Sequence, residues 1–161
     1  MQNLMVKSGT RYRKATAAEI SEAAGHYALQ VLNRAKPNLS APSQAIRFLK
    51  DLYQGRDYET FTVLFLDNRH QLIEAREMFR GTIDGASVHP REVAKEVLWL
   101  GAAAVILSHN HPSGVASPSR ADEMITLRLR EALSLIDVRV LDHLIIGSTG
   151  DSFSLAENGM I

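Results

Sequence analysis

Residues 102–125 read AAAVILSHNHPSGVASPSRADEMI, and how this stretch folds decides how the whole chain folds. It opens on a short, unbroken apolar run, the pattern of a strand buried on both faces. Pro112, Ser113 and Gly114 then turn the chain sharply. Ser119, followed three residues later by Asp122, marks a helix start. Apolar spacing carries that helix to Leu135, with Ala121, Ile125, Leu129, Ala132 and Leu133 as its buried stripe. A buried strand running through a turn into a helix is the unit of an α/β sheet covered on both faces.

Side chains alternate along a strand, so His109 and His111 point the same way at its carboxyl end. Open α/β sheets place their ligands at that end. Two readings of the four polar residues follow. In the first, Ser119 caps the helix, Asp122 sits favourably in its first turn, and the stretch carries no chemistry. In the second, His109, His111 and Asp122 hold one divalent ion. Two imidazoles and a carboxylate leave a fourth tetrahedral position for water, the pattern of catalytic zinc. Zinc-bound water ionises near neutral pH and becomes a hydrolytic nucleophile. The readings are compatible, because a capped helix start can fix Asp122 while one of its oxygens faces a metal.

Outward from this stretch, strands alternate with helices. YETFTVLFLD (58–67) is rich in β-branched and aromatic residues and reads as a strand; LIEAREMFRG (72–81) is a second and TIDGASV (82–88) a short third. HPREVAKEVLWLG (89–101) is a helix with Pro90 at its start and Gly101 at its end. IDVRVLDHLIIG (136–147) and DSFSLA (151–156) read as strands. Upstream, Thr16 and Glu19 form a capping box for a helix over 16–35, with Ile20, Ala23, Ala24, Tyr27, Val31 and Leu32 at helical spacing. A second helix starts at Ser40 and ends near Gly55. The apolar face of the first helix gives no oligomeric state: it can make a dimer or pack on its own domain.

A chain of 161 residues fits one domain with a substantial core. It has no cysteine, which excludes disulfides and thiolate ligands. No stretch approaches the roughly 20 apolar residues of a membrane span, and the start, MQNLMVKSGTRYRK, lacks the apolar core of a secretory signal. These features point to the cytoplasm. The formal charge is zero, so there is no general attraction to phosphate. Lys7, Arg11, Arg13 and Lys14 nevertheless crowd the first fourteen residues, either as a solvated terminus or as an arm for DNA.

The pattern H-x-H-x(7)-S-x(2)-D on a strand, loop and helix resembles the JAMM motif of MPN-domain metalloproteases. With VHPREV (88–93) before it and VRVLDHLIIG (138–147) after it, the chain is similar to the bacterial RadC family over residues 40–161. The resemblance implies a three-layer α/β domain with a mixed, cytidine-deaminase-like (JAB1/MPN) sheet over 40–161. An N-terminal helical arm over 1–39 stands where longer members carry a helix-hairpin-helix domain. It implies Zn2+ as cofactor, held by His109, His111 and Asp122, with Ser119 steadying an oxyanion. Glu59 matches the family's general base. The implied reaction cleaves a peptide or isopeptide bond in a peptide or protein substrate by zinc-activated water. Two alternatives remain: a DNA-binding or nuclease protein, after the family's DNA-repair label, and a non-catalytic MPN scaffold. Family members often carry glutamate where this chain has Arg76, so substrate handling can differ here.

Spacing alone does not choose Glu59, fifty residues before His109, over Glu74, Glu77, Glu92 or Glu96. Of the other candidates, His143 reads as a satisfied core histidine, with Asp142 as an acceptor for a ligand's free ring N–H. His89 reads as a cap for the helix at Pro90, His26 and His70 as exposed, and Trp99 as core.

Overall fold

A computed structural model of the chain describes residues 4–8, 11–81 and 88–161. The quoted apolar run forms β5 (Ala104–His111), the middle strand of a five-stranded sheet. On one side it pairs antiparallel with β3 (Thr60–Leu66), which pairs antiparallel with β4 (Leu72–Arg80). On the other it runs parallel to β6 (Arg139–Gly147), flanked by the short antiparallel β7 (Ser152–Ser154). The order β4-β3-β5-β6-β7 is a mixed sheet. Its parallel pair is joined through α4 (Arg120–Ser134), since parallel neighbours need a crossover.

Alternation along the strands sends apolar side chains to both faces. Leu64, Leu66, Ala104, Ile106, Leu144 and Ile146 meet α2 (Pro42–Tyr53) through Phe48, Leu49 and Leu52. On the other face Phe61, Val63, Phe65, Val105 and Leu107 meet α3 (Pro90–Leu100) and α4 through Val93, Val97, Ile125, Leu129 and Leu133. The expected three-layer α/β domain is therefore built with one helix below the sheet and two above. α4 also buries Asp122 and Thr126 on its packed face. Buried polar residues must find partners, and theirs lie in the site below.

Several local expectations are corrected. α2 starts at Pro42, not Ser40. Proline fits the first helical position and holds Ala41 extended, while Gln44 Oε1 accepts the Ala41 N–H at 3.1 Å. Trp99 is not core but 82% exposed. The buried stripe of α3 runs through Val93 and Val97, and two residues on from Val97 the helix has turned about 200°. The strand expected over 82–88 lies outside the described residues, except that Val88 is buried outside any strand.

The first forty residues also differ from expectation. The basic residues stand on an antiparallel ribbon, β1 (Met5–Ser8) with β2 (Arg11–Lys14), rather than on a loose terminus. Arg13 donates both guanidinium nitrogens to Glu19, and Glu19 with Thr16 closes the capping box of α1 (Ala17–Ala35). The apolar positions of α1 do not face the core: Ala23 and Ala24 are exposed, as are Ile20 and Tyr27. Val31 and Leu32, like His26, fall outside what is described of side chains. α1 docks instead through Ser21, whose hydroxyl donates to Gly55 O, and through Gly25, which leaves room for the Arg56 guanidinium. Among the described residues no helix is long and apolar enough to cross a membrane.

Tyr53 closes α2 with its ring buried in the lower core and its hydroxyl near Ser108 and Thr62. Burial pushes this phenol up to about 12. A folded-state value above the ordinary one near 10 means that the stabilisation is present below pH 10 and is lost as pH rises from 10 towards 12. Chemical denaturation across pH 9–12 is expected to lose about 2–3 kcal/mol through this group. Tyr53→Phe is expected to flatten that slope; an unchanged slope in the variant refutes the assignment.

Candidate metal centre

The register of β3 on β5 sets Phe61 opposite His109. Two residues further along, the same register brings Glu59 beside His111, and alternation sends all four side chains to the face of α3 and α4. Asn110, pointing the opposite way, fastens this end of the sheet. Its Oδ1 accepts the Thr60 N–H at 2.8 Å and the Thr60 hydroxyl at 3.0 Å, and its Nδ2 donates to Tyr58 O at 2.8 Å. Glu59, His109 and His111 offer ligand atoms that all lie within 4.8 Å of one another.

The Pro-Ser-Gly turn brings the first turn of α4 back to the histidines. Asp122 Oδ1 lies 3.2 Å from His109 Nε2. Its Oδ2 accepts both the backbone N–H and the hydroxyl of Ser119 at 2.7 Å, while Ser119 Oγ accepts the Asp122 N–H at 3.2 Å. The helix cap and the inward-facing carboxylate oxygen thus coexist in one residue. Burial would raise the Asp122 carboxyl, but the His109 ring and the two Ser119 donors outweigh it and hold the group well below the usual carboxylate range.

The loop itself is clasped to the far side of the sheet. The Gly114 and Ser148 N–H groups both donate to His111 O at 3.1 Å. Ser148 Oγ donates to Pro112 O and Thr149 Oγ1 to Gly114 O, each at 3.0 Å. Gly114 needs its freedom, at φ 101°, and Gly147 lies so close that a Cβ there would sit 2.1 Å from Gly114 O.

Proton placement tests whether a cation fits. His111 Nδ1 lies 2.6 Å from Val115 O, and a carbonyl only accepts, so Nδ1 carries the hydrogen. With its hydrogen there, the ring turns Nε2, the atom that can offer a lone pair to a cation, towards His109 Nε2 at 2.9 Å. With Asp122 Oδ1 and the Glu59 carboxylate nearby, this is a largely buried group of electron-rich atoms. Imidazole nitrogens and carboxylate oxygens with bonds of about 2.0–2.2 Å are zinc's ligand set, and bonds of that length place neighbouring ligand atoms about 3 Å apart. The residues fit a zinc ion.

His143 is more than a satisfied core histidine. The parallel register sets it opposite Leu107, on the same face as His109. Its Nε2 lies 2.9 Å from His109 Nδ1, and its Nδ1 meets Thr126 Oγ1, one turn beyond Asp122 on α4. Burial first, then the facing His109 ring, hold His143 well below its ordinary value, so it is neutral. Asp142 does not serve the ligands. Its carboxylate accepts from the Ser154 hydroxyl at 2.6 Å, from the Ala156 N–H at 3.0 Å and from the His143 N–H at 2.7 Å.

The rivals of Glu59 are engaged elsewhere. Glu74 and Glu96 both pair with Arg76, which ties β4 to α3; Glu77 pairs with Arg56 and Glu92 with Lys95. His89 occupies the N-cap position of α3 but makes no side-chain cap bond, and its ring meets Phe79 edge-on at 6.5 Å. His70, half-buried, closes a turn at positive φ.

Comparison with known proteins identifies the family. The model of the RadC-like JAB domain family matches residues 39–160. A UPF0758 protein of Nitrosococcus oceani is 58% identical over 123 residues, covering 76% of this chain and 54% of that protein. One of Vibrio cholerae is 57% identical over 114 residues, 71% of each chain. The chain spans about half the length of several such relatives, that of Thioalkalivibrio sulfidiphilus among them. With three quarters of its length matched, the chain belongs to the RadC-like JAB domain family.

Proposed function

We propose that the chain is a zinc-dependent hydrolase acting on an amide, a peptide or isopeptide bond of a peptide or protein substrate. The observation that carries this reading is the grouping of the Glu59 carboxylate with the His109 and His111 imidazoles within 4.8 Å, while Asp122 Oδ1 lies 3.2 Å from His109 Nε2 on the helix side. His109, His111 and Asp122 would hold the ion. A bound zinc supplies a Lewis acid that polarises a carbonyl and acidifies water. Glu59, half-buried just before β3, takes the proton from the attacking water and returns it to the leaving amine. Ser119 is exposed at the helix start, where its hydroxyl can rotate from Asp122 towards a developing oxyanion while its N–H keeps the carboxylate in place.

Glu59→Gln is the test. The variant is expected to keep near one zinc per chain while hydrolysis of a peptide or isopeptide panel falls about 10²- to 10⁴-fold. Unchanged hydrolysis would remove Glu59 from its role. A wild type that binds zinc but cleaves nothing on the panel would leave the domain as a metal-bearing scaffold.

A second reading attaches to the ribbon. Lys7, Tyr12, Lys14 and Met5 share one face of β1–β2, with Tyr12 67% exposed, so that face offers charge and an aromatic surface to nucleic acid. Gel-shift titration against salt separates this from peptide chemistry, because phosphate contacts weaken steeply as salt rises.

A further inference from the structure

One residue separates the two imidazoles, and alternation turns its side chain to the opposite face of the sheet. That residue, Asn110, is buried, and its carboxamide is spent on the segment that leads into β3. Oδ1 accepts the Thr60 N–H at 2.8 Å, and Nδ2 donates to Tyr58 O at 2.8 Å. A backbone N–H only donates and a backbone carbonyl only accepts, so these two contacts fix which end of the carboxamide is oxygen. The Thr60 hydroxyl donates to the same Oδ1 at 3.0 Å and accepts from Arg56 Nη1 at 3.3 Å.

The residue bracketed by these contacts is Glu59. Its own carbonyl points the other way and accepts the Gly81 N–H at 2.9 Å, just beyond β4. The β3–β5 ladder stops at the pair Phe61 and His109. Past that pair the Asn110 carboxamide, with the planar donor and acceptor of a peptide group, stands in for the missing rung. The backbone around Glu59 is thus held from both neighbouring strands, where its carboxylate lies within 4.8 Å of the ligand atoms of His109 and His111.

We propose that Asn110 is a positioning residue: a clamp on the backbone either side of Glu59 that keeps its carboxylate beside the two imidazoles. What Glu59 does there rests on the hydrolase reading above; the clamp adds the reason it stays in reach. No other side chain of this size offers both groups, since aspartate lacks a hydrogen for Tyr58 O and leucine lacks donor and acceptor alike. The alternation that gives the histidines one face gives the asparagine between them the other. Three consecutive residues of β5 therefore carry two imidazoles and the grip on the carboxylate that faces them.

The test starts on the metal-free wild type by NMR. The Asn110 carboxamide is expected to exchange more slowly than that of free asparagine, the Thr60 amide is expected to be protected, and the Glu59 side chain is expected to show cross-relaxation with the His111 ring. Asn110→Ala removes both grips. In the folded variant Thr60 is expected to exchange about 10- to 100-fold faster. The Glu59–His111 contact is expected to vanish while the cross-strand contacts from Phe61 onward persist. Zinc is expected to stay near one per chain, because His109, His111 and Asp122 are untouched. On a peptide that the wild type cleaves, kcat is expected to fall about 10²-fold with KM little changed. In a Glu59→Gln background the same substitution is expected to cost less than about twofold, because a residue acting through Glu59 has nothing left to act through. A rapidly exchanging carboxamide in the wild type overturns the clamp without any variant. Asn110→Ala with Thr60 protection and the Glu59 contact intact overturns it too, as does an equal loss of kcat in both backgrounds. A wild type that shows the clamp's NMR signature but cleaves no peptide upholds the clamp and sinks the hydrolase reading instead.

Discussion

Asp122→Ala is expected to lower bound zinc from near one ion per chain to a small fraction of that, measured by elemental analysis after equilibration with excess metal and desalting. Two losses are combined in this variant. The inward oxygen that faces His109 at 3.2 Å disappears, and so does the acceptor for the Ser119 N–H and hydroxyl. Loss of a directly bound ligand exceeds the 10–100-fold cost typical of an outer partner. Loss of the cap costs about 1 kcal/mol. Asp122→Asn separates the two, since its amide oxygen still accepts from Ser119 but carries no charge. The asparagine variant is expected to melt close to wild type in chelator yet to hold little zinc. Full zinc occupancy in the alanine variant would place the ion elsewhere. Absence of zinc from the wild type, even after supplementation, would reduce residues 109–122 to a turn and a helix cap and leave scaffold or nucleic-acid roles.

Phe65→Ala is the substitution with the largest expected effect on stability. Phe65 lies one residue from the end of β3 with no exposed surface, in the core layer under α3 and α4. Truncating a buried phenylalanine removes its transfer free energy and leaves a cavity, about 3–5 kcal/mol together. For a domain of this size that corresponds to a fall in Tm of roughly 6–20 °C. The ring sits well along the strand from Glu59, so zinc content is expected to stay near one per chain in the folded variant. A loss below about 1 kcal/mol in urea unfolding would contradict the two-faced core.

The layers and the pairing of His109 with His111 were legible because both depend on short-range pattern. The apolar run 102–107 can only be a buried strand beside such turn residues, and H-x-H on that strand fixes a shared direction for two imidazoles whatever lies alongside. Glu59 needed either a family resemblance or the β3–β5 register, which no periodicity carries. His143 is the buried, partnered histidine that was expected, but its neighbour His109 and the true partners of Asp142 were not legible, for a related reason. The β5–β6 pairing skips Leu141, between the partners of Val105 and Ile106, and a one-residue slip exchanges the faces of a strand. Thr126 gave only the weak signal of a polar residue on an apolar helix face. Trp99 was misread as core, and the α1 stripe was left open between its own domain and a second copy, because helical spacing records which residues share a side, not whether anything covers it. The terminal ribbon had a Ser-Gly turn signal between MVK and RYR, outweighed by its charge.

The contact between Gly147 and Gly114 makes the ligand loop and the β6–β7 turn a single joint, with backbone seated on backbone and no side chain to act as a spring. Such a joint transmits displacement and does not absorb it. His111 is bonded into it through its own carbonyl, so it keeps station with the edge of the sheet. On the hydrolase reading proposed above, a substrate would have to fit itself to a fixed pair of imidazoles, and discrimination would not rest on any closing of the loop that carries them.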